Sequence, residues 1–140
     1  VSLDGLALGE EIESVMVARL LGPVGELGMS VALDGDVDGD GMSDALVGVP
    51  SYGGSHTESG AAALFLGGLT GTLDGEDALV TGTAAYQYAG HAVRFHSNGV
   101  GDDFSDLVIG AWGHDLDDGG SMEIDQGSAF IVQSAYSGAE

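Results

Sequence analysis

Short apolar runs separated by glycine-rich polar segments make up most of the chain. In its middle part the apolar runs are Met29–Leu33, Ala45–Val49, Ala61–Leu66 and Ala78–Thr81, with turn-forming residues between them. Runs of this length bounded by glycine are typical of β-strands, and no stretch has a convincing helical period. Several runs, such as AAALFL and LVIGAW, are continuously apolar, which favours sheets that are covered on both faces.

The pattern of these runs repeats along the chain. The segment GMSVALDGDVDGDGMSDALVGVP begins at Gly28, and GHAVRFHSNGVGDDFSDLVIGAW begins 62 positions later at Gly90. A second match relates SGAAALFLG, from Ser59, to QGSAFIVQS, from Gln126, at an offset of 67, so the second copy has a loop five residues longer. Each unit is predicted to hold four strands, which indicates the blades of a β-propeller. A single β-sandwich with accidental self-similarity is the alternative.

Between the first two strands of the first unit lies a loop with alternating carboxylates. Asp36, Asp38, Asp40 and Asp44 occupy positions 1, 3, 5 and 9 of this loop, and Met42 at position 7 would offer its carbonyl oxygen. Hard cations such as Ca²⁺ take about six to eight oxygen ligands, and alternating positions of a tight loop direct carboxylates at one centre. Without a cation these charges would repel one another strongly, so we expect the loop to be ordered only when a cation is bound.

The sequence GMSVALDGDVDGDGMSDALVGVP, followed by GAAALFLG, resembles the FG-GAP repeat of integrin α-subunits and bacterial surface proteins. The resemblance covers residues 27–134 and implies an all-β fold of propeller blades, with Ca²⁺ in the loop between the first two strands of certain blades. The ligands it implies are Asp36, Asp38, Asp40, the Met42 carbonyl and Asp44. An EF-hand is excluded because Val47 stands where a bidentate glutamate is needed and an apolar β-run follows.

The second copy of the acidic loop is degenerate. Asn98, Asp102 and Asp106 hold positions 1, 5 and 9, and Phe104 offers a carbonyl at position 7. Val100 at position 3 supplies no side-chain oxygen. We expect this second site to bind Ca²⁺ weakly or to be an empty structural loop.

The charge of the chain restricts its partners. There are 23 acidic residues against two arginines and no lysine, and the formal net charge is −21. Phosphate recognition requires cations, so nucleic acid and anionic membrane surfaces are excluded, and no apolar run is long enough for membrane insertion. Cations and basic protein surfaces are the expected partners. The acidic loop at residues 114–125 is expected to be a solvated surface, with a further cation site as the alternative.

The register of the repeat divides the chain into three segments. Residues 1–26 are predicted to supply the outer strand of a split blade, residues 27–88 a complete FG-GAP repeat with the Ca²⁺ loop, and residues 89–140 a second repeat without its fourth strand. In this register Glu13–Leu21 is a spare outer strand, while the blade Gly90–Ser134 lacks one. We expect Glu13–Leu21 of one copy to complete the second blade of the next by head-to-tail strand complementation, which gives a ring or a filament.

The expected function is non-enzymatic. No Ser-His-Asp grouping or metal-spaced pair of histidines is present, and there is no cysteine nucleophile. We expect a Ca²⁺-stabilised extracellular or cell-surface propeller protein that acts in adhesion or as a self-assembling structural subunit. Its expected partners are copies of itself, another cell-surface protein or a glycan. The alternative is a propeller segment of a larger secreted enzyme whose catalytic domain lies elsewhere.

Overall fold

The computed structural model describes residues 11–12, 16–97, 104–117, 122–123 and 126–134. All eleven elements within these ranges are β-strands, as the sequence predicted. They are β1 (Ala18–Leu21), β2 (Val31–Gly35), β3 (Asp44–Val49), β4 (Ala61–Phe65), β5 (Gly71–Asp74), β6 (Ala78–Thr81), β7 (Ala89–Ser97), β8 (Ser105–Ala111), β9 (Leu116–Asp117), β10 (Met122–Glu123) and β11 (Ser128–Val132). No helix in the described part of the chain is both long and apolar enough to cross a membrane.

The first sheet contains the four strands that the sequence predicted for the first unit. It has the order β2-β3-β4-β6, and its neighbouring strands are antiparallel. Every residue of β3 and β4 is buried. These two central strands are covered on both faces, which explains why their sequences are continuously apolar and do not alternate.

The second sheet contains three strands in the order β11-β8-β7, again antiparallel. Within the described residues no fourth strand pairs with β11. The short antiparallel pair β9 and β10 lies in the connection from β8 to β11. The sequence comparison predicted that this connection is five residues longer in the second copy than in the first, and the hairpin lies within it.

A third, two-stranded sheet joins β1 to β5 in parallel, with Ala18 opposite Gly71 and Leu21 opposite Asp74. The sequence did not predict β5, and it predicted Glu13–Leu21 as a spare strand for another copy. In the structure the C-terminal part of that segment is β1, and one edge of β1 pairs with β5 of the same chain. Its Leu20 packs, together with Leu73 of β5, against the buried face of the first sheet.

The two large sheets pack face to face around an apolar core. Leu46 and Leu64 of the first sheet contact a buried cluster that includes Ile109 of the second. One close approach is at Gly48, where an added Cβ would collide with the carbonyl of Gly90. Gly90 itself has a φ of 86°, a conformation that favours glycine, and Ser30 Oγ donates to its carbonyl oxygen at 2.8 Å. The glycines of the repeat therefore permit the contact between the sheets.

Candidate metal centre

The acidic loop connects β2 to β3 and gathers three of the predicted ligands. Asp36, Asp38 and Asp40 each offer one carboxylate oxygen, and these atoms lie within 4.8 Å of one another. Asp36 and Asp38 are half-buried, and Asp40 is exposed. Among the described residues this is the single group of three or more possible metal-ligating side chains.

The backbone of the loop is wound around these carboxylates. Gly39 N donates to Asp36 Oδ1 at 2.7 Å, and Gly41 N donates to Asp36 Oδ2 at 3.0 Å. Met42 N donates to Asp40 Oδ1 at 2.7 Å. Gly39 and Gly41 have φ values of 77° and 80°, which place both in the left-handed region. Two glycines in a conformation that other residues rarely adopt therefore form the tight turn of the loop.

Asp44 is not a member of the group of three, and its side chain is fully buried. Its Oδ2 accepts a hydrogen bond from Val37 N and its Oδ1 accepts one from Gly67 N, both at 2.7 Å. Burial raises the pKa of the Asp44 carboxyl, the two backbone hydrogen bonds lower it, and the charges of Asp38 and Asp36 raise it further. The net direction is upward. Asp44 thus ties the start of the loop to the end of β4, and its role as a direct ligand, like that of the Met42 carbonyl, stays a prediction.

The loop also contacts the second sheet. Asp36 N donates to Ser105 Oγ at 3.1 Å, and Ser105 N donates to the Asp36 carbonyl at 2.9 Å. The ring of Phe104 lies where a side chain on Gly39 would stand. Sequence reasoning gave Phe104 only a carbonyl role in the second loop and gave Ser105 none. The only signal for either contact is that Phe104 directly precedes β8 and Ser105 opens it, where β8 is the counterpart of β3 in the second copy of the repeat.

The second loop is described only at its C-terminal end. Asn98 and Asp102 lie outside the described residues, while Phe104 is half-buried and Asp106 is fully buried. Asp106 Oδ1 accepts a hydrogen bond from Ser134 N at 3.2 Å. Since Asp106 and Ser134 correspond to Asp44 and Gly67, the buried clamp at position 9 occurs in both copies. The other oxygen of Asp106 has no hydrogen-bond partner among the described residues. In the first copy the equivalent oxygen of Asp44 accepts from Val37 N, and the residue that corresponds to Val37 in the second copy lies outside the described residues.

The acidic segment 114–125 is also described only in part. Asp115 is exposed, and the backbone of β9 and β10 is defined. Asp118 and Asp125 lie outside the described residues. Whether this segment holds a cation therefore stays at the level of the sequence prediction.

The residues present at the first loop suit Ca²⁺. All the side-chain donors are carboxylate oxygens, with no nitrogen or sulfur ligand among them, which is the donor set that hard divalent cations prefer. Three carboxylates held so close also repel one another, and a bound cation would relieve that repulsion. Water and backbone carbonyls would complete the coordination.

One comparison with known families matches this part of the chain. Residues 27–65 match the family model described as the FG-GAP repeat. No curated protein matches the chain. The matched segment begins just before β2, contains the whole acidic loop and ends with β4. The match confirms the resemblance to the FG-GAP repeat that the sequence pattern predicted, and the all-β structure of this segment is consistent with the blade of a β-propeller.

Proposed function

We propose that this protein is a Ca²⁺-stabilised, extracellular or cell-surface β-propeller repeat protein that acts in adhesion or as a structural subunit, and that its copies join head to tail. The observation that carries the proposal is the group of Asp36, Asp38 and Asp40 at the junction of the two large sheets. Because the loop is hydrogen-bonded to Ser105 and covered by Phe104, a cation that orders the loop also fixes one sheet against the other.

The exposure of the site supports an extracellular location. Asp40 is exposed and the other two carboxylates are half-buried, so water competes for the cation. Ca²⁺ sites in extracellular modules bind with dissociation constants on the order of 0.1–1 mM, which such a site can reach. A site of this affinity is filled only where Ca²⁺ is abundant.

Chelation tests the metal assignment. In about 10 mM Ca²⁺ a site of this affinity stabilises the folded state by roughly 1.4–2.7 kcal/mol, so EGTA should lower the Tm by several degrees. Asp40→Ala should abolish this response, whereas Asp34→Ala, which removes an exposed carboxylate next to the loop, should keep it. Mg²⁺ should substitute poorly because it requires strict octahedral geometry. A wild-type Tm that does not respond to EGTA would show that the loop does not bind Ca²⁺.

The edges of the sheets support assembly by strand addition. Among the described residues, β11 pairs with one neighbour, β8, and β1 pairs with one neighbour, β5. β1 also corresponds to β6, since each strand is directly followed by a glycine, Gly22 or Gly82. We therefore propose that the second edge of β1 in one copy pairs with the open edge of β11 in the next.

The register of that pairing can be copied from the first sheet. There Leu64 of β4 is opposite Ala78 of β6. The same register applied to β11 and β1 puts Ile131 opposite Ala18 and Phe130 opposite Arg19. Phe130 is 38% exposed in the single chain, and a guanidinium beside its ring would form a cation–π contact.

The exposure of apolar side chains on the faces of the two large sheets also supports assembly. The first sheet packs against the second with Leu64, which is 6% exposed, and with Leu46 and Ala62, which are fully buried. The counterpart of Leu64 in the second sheet is Ile131, which is 63% exposed. The face that is covered in the first copy of the repeat is thus open in the second, where a sheet from another copy would cover it.

The native mass tests assembly. At micromolar concentration in Ca²⁺, sedimentation of the intact chain should show species larger than a monomer. Ile131→Asp should give monomers, because it places a charge on the face that would be covered. Val24→Asp is the matched control: Val24 is 93% exposed in the connection from β1 to β2, and this variant should assemble like the wild type. A stable wild-type monomer under these conditions would refute the assembly proposal and leave the Ca²⁺ proposal untouched.

A further inference from the structure

Aromatic side chains from both large sheets meet at the rim opposite the acidic loop. β3 begins at that loop and ends at Val49, so the connections after β3, β6 and β8 lie at the other end of the sheets. Tyr86 and Tyr88 lie in the connection from β6 to β7, and Trp112 directly follows β8. These three residues are called the aromatic cluster.

The cluster is partly exposed to solvent and lies beside a carboxylate. The rings of Tyr88 and Trp112 are stacked, with centroids 4.9 Å apart and planes 6° from parallel. Tyr86 lies 6.5 Å from Tyr88, and Tyr86 and Trp112 are 55% and 50% exposed. The hydroxyl of Tyr88 donates to Glu58 Oε2 at 2.9 Å. The hydrogen bond fixes the carboxylate next to the stacked rings.

The backbone under the cluster is strained. Glu58, Tyr86 and Tyr88 have φ values of 46°, 58° and 52° and are three of the four non-glycine residues with positive φ in the described part of the chain. Backbone hydrogen bonds hold them there, from Tyr86 N to the Thr57 carbonyl at 2.8 Å and from Tyr88 N to the Glu58 carbonyl at 3.2 Å. Glycine would adopt this conformation at no steric cost, whereas a bulky side chain is an outlier in it. A chain that has 26 glycines places tyrosine at both positions, which indicates a role for the rings beyond the turn.

We propose that the aromatic cluster and Glu58 bind a cationic side chain of a partner protein, with the guanidinium of arginine as the preferred group. The faces of tyrosine and tryptophan rings carry negative electrostatic potential and attract cations. The planar guanidinium can stack on an aromatic face while it donates to a carboxylate. The net charge of −21 raises the local concentration of basic segments around the protein, an advantage that a neutral sugar would not share. The proposal rests on this cluster alone and requires neither the metal site nor self-assembly.

The chain contains its own reporter for this site, since Trp112 is its one tryptophan. We would titrate the protein, in a buffer that contains Ca²⁺, with a capped tripeptide in which arginine stands between two glycines and follow tryptophan emission. A saturable change is expected, with an affinity that falls as salt is raised. The same tripeptide with citrulline in place of arginine is neutral and nearly isosteric, and it should produce no saturable change.

Three variants locate the binding site. Tyr86→Gly removes a ring and relaxes the backbone, so it should weaken binding roughly two- to fivefold, the factor expected for one exposed cation–π contact, without lowering the Tm. Glu58→Gln should weaken binding by a similar factor. Glu26→Gln is the matched control, because Glu26 also has a positive φ of 67° and its carboxylate also accepts a hydroxyl hydrogen bond, from Ser51 at 2.7 Å. This control should bind like the wild type.

Several outcomes would overturn the proposal. One is the absence of a saturable response to the arginine tripeptide, and another is an equal response to the citrulline tripeptide. If Glu26→Gln and Glu58→Gln weaken binding of the arginine tripeptide equally, the tripeptide is attracted by the overall negative charge of the protein and not by the aromatic cluster. A saturable response to a methyl glycoside, without one to arginine, would identify a glycan site in its place.

Discussion

The buried carboxylate of Asp44 closes the acidic loop from the inside, and replacing it with asparagine tests what holds the loop in place. Its two oxygens accept hydrogen bonds from Val37 N and Gly67 N, at 2.7 Å each. Asparagine keeps one acceptor oxygen and turns an NH₂ group toward the other backbone N–H. One buried donor therefore loses its acceptor and faces a second donor.

The cost can be estimated from these contacts. A hydrogen bond to a charged acceptor contributes about 1.5–3 kcal/mol, and a buried N–H without an acceptor costs about 1–3 kcal/mol. Part of this is recovered because a neutral amide escapes the desolvation and the repulsion by Asp38 and Asp36 that raise the pKa of Asp44. We expect Asp44→Asn to lower the free energy of unfolding by about 2–4 kcal/mol and the Tm by roughly 8–16 °C for a chain of this length.

Thermal unfolding followed by circular dichroism, in EGTA and in Ca²⁺, separates the clamp from metal ligation. Asp44→Asn should lower the Tm in both buffers, since the hydrogen bonds do not require the metal. Asp34→Asn makes the same chemical change at an exposed position beside the loop and should change the free energy of unfolding by no more than about 0.5 kcal/mol. If Asp44→Asn keeps the wild-type Tm in EGTA and loses stability only in Ca²⁺, Asp44 is a ligand and not a clamp.

Two further substitutions test the packing of the sheets and the second loop. Gly48→Ala would place a methyl group against the Gly90 carbonyl and should lower the free energy of unfolding by about 1–3 kcal/mol, whereas Gly53→Ala, with no atom nearer than 3.9 Å to the added carbon, should be close to neutral in denaturant titrations. Val100→Asp supplies the missing carboxylate at position 3 of the second loop, so calorimetric titration should show tighter binding there than in the wild type. Two equally tight sites in the wild type would contradict the assignment of the second loop as degenerate.

The strands of the first sheet could be predicted because the pattern that specifies each strand lies within the strand and the turns beside it. Its strands are short apolar runs between glycine-rich turns, and the predicted bounds of Met29–Leu33, Ala45–Val49, Ala61–Leu66 and Ala78–Thr81 agree with β2, β3, β4 and β6 to within two residues. The acidic loop is equally local, since alternation along nine positions fixes which carboxylates can meet. The structure brings Asp36, Asp38 and Asp40 together as that alternation predicts.

Contacts between distant segments could not be predicted in this way. The pairing of β1 with β5 depends on Leu20 and Leu73 covering the same face of the first sheet, and no pattern within either segment indicates the other. The hydrogen bonds between Asp36 and Ser105 join residues 69 positions apart. The clamp role of Asp44 was also hidden, because an aspartate at position 9 looks the same in sequence whether its oxygens bind a metal or backbone N–H groups.

The repeat supplies an internal comparison that separates what the fold requires from what one copy adds. Glu26 and Tyr88 are equivalent positions, and both have positive φ, at 67° and 52°. The left-handed turn before each sheet is therefore a property of the repeat, while the tyrosine side chain belongs to the second copy alone. Trp112 likewise stands where the first copy has Pro50, and it is the residue on which Tyr88 stacks. Two departures from the repeat that meet in space, at a position where the backbone favours glycine, are better explained by selection for the aromatic surface than by the requirements of the turn.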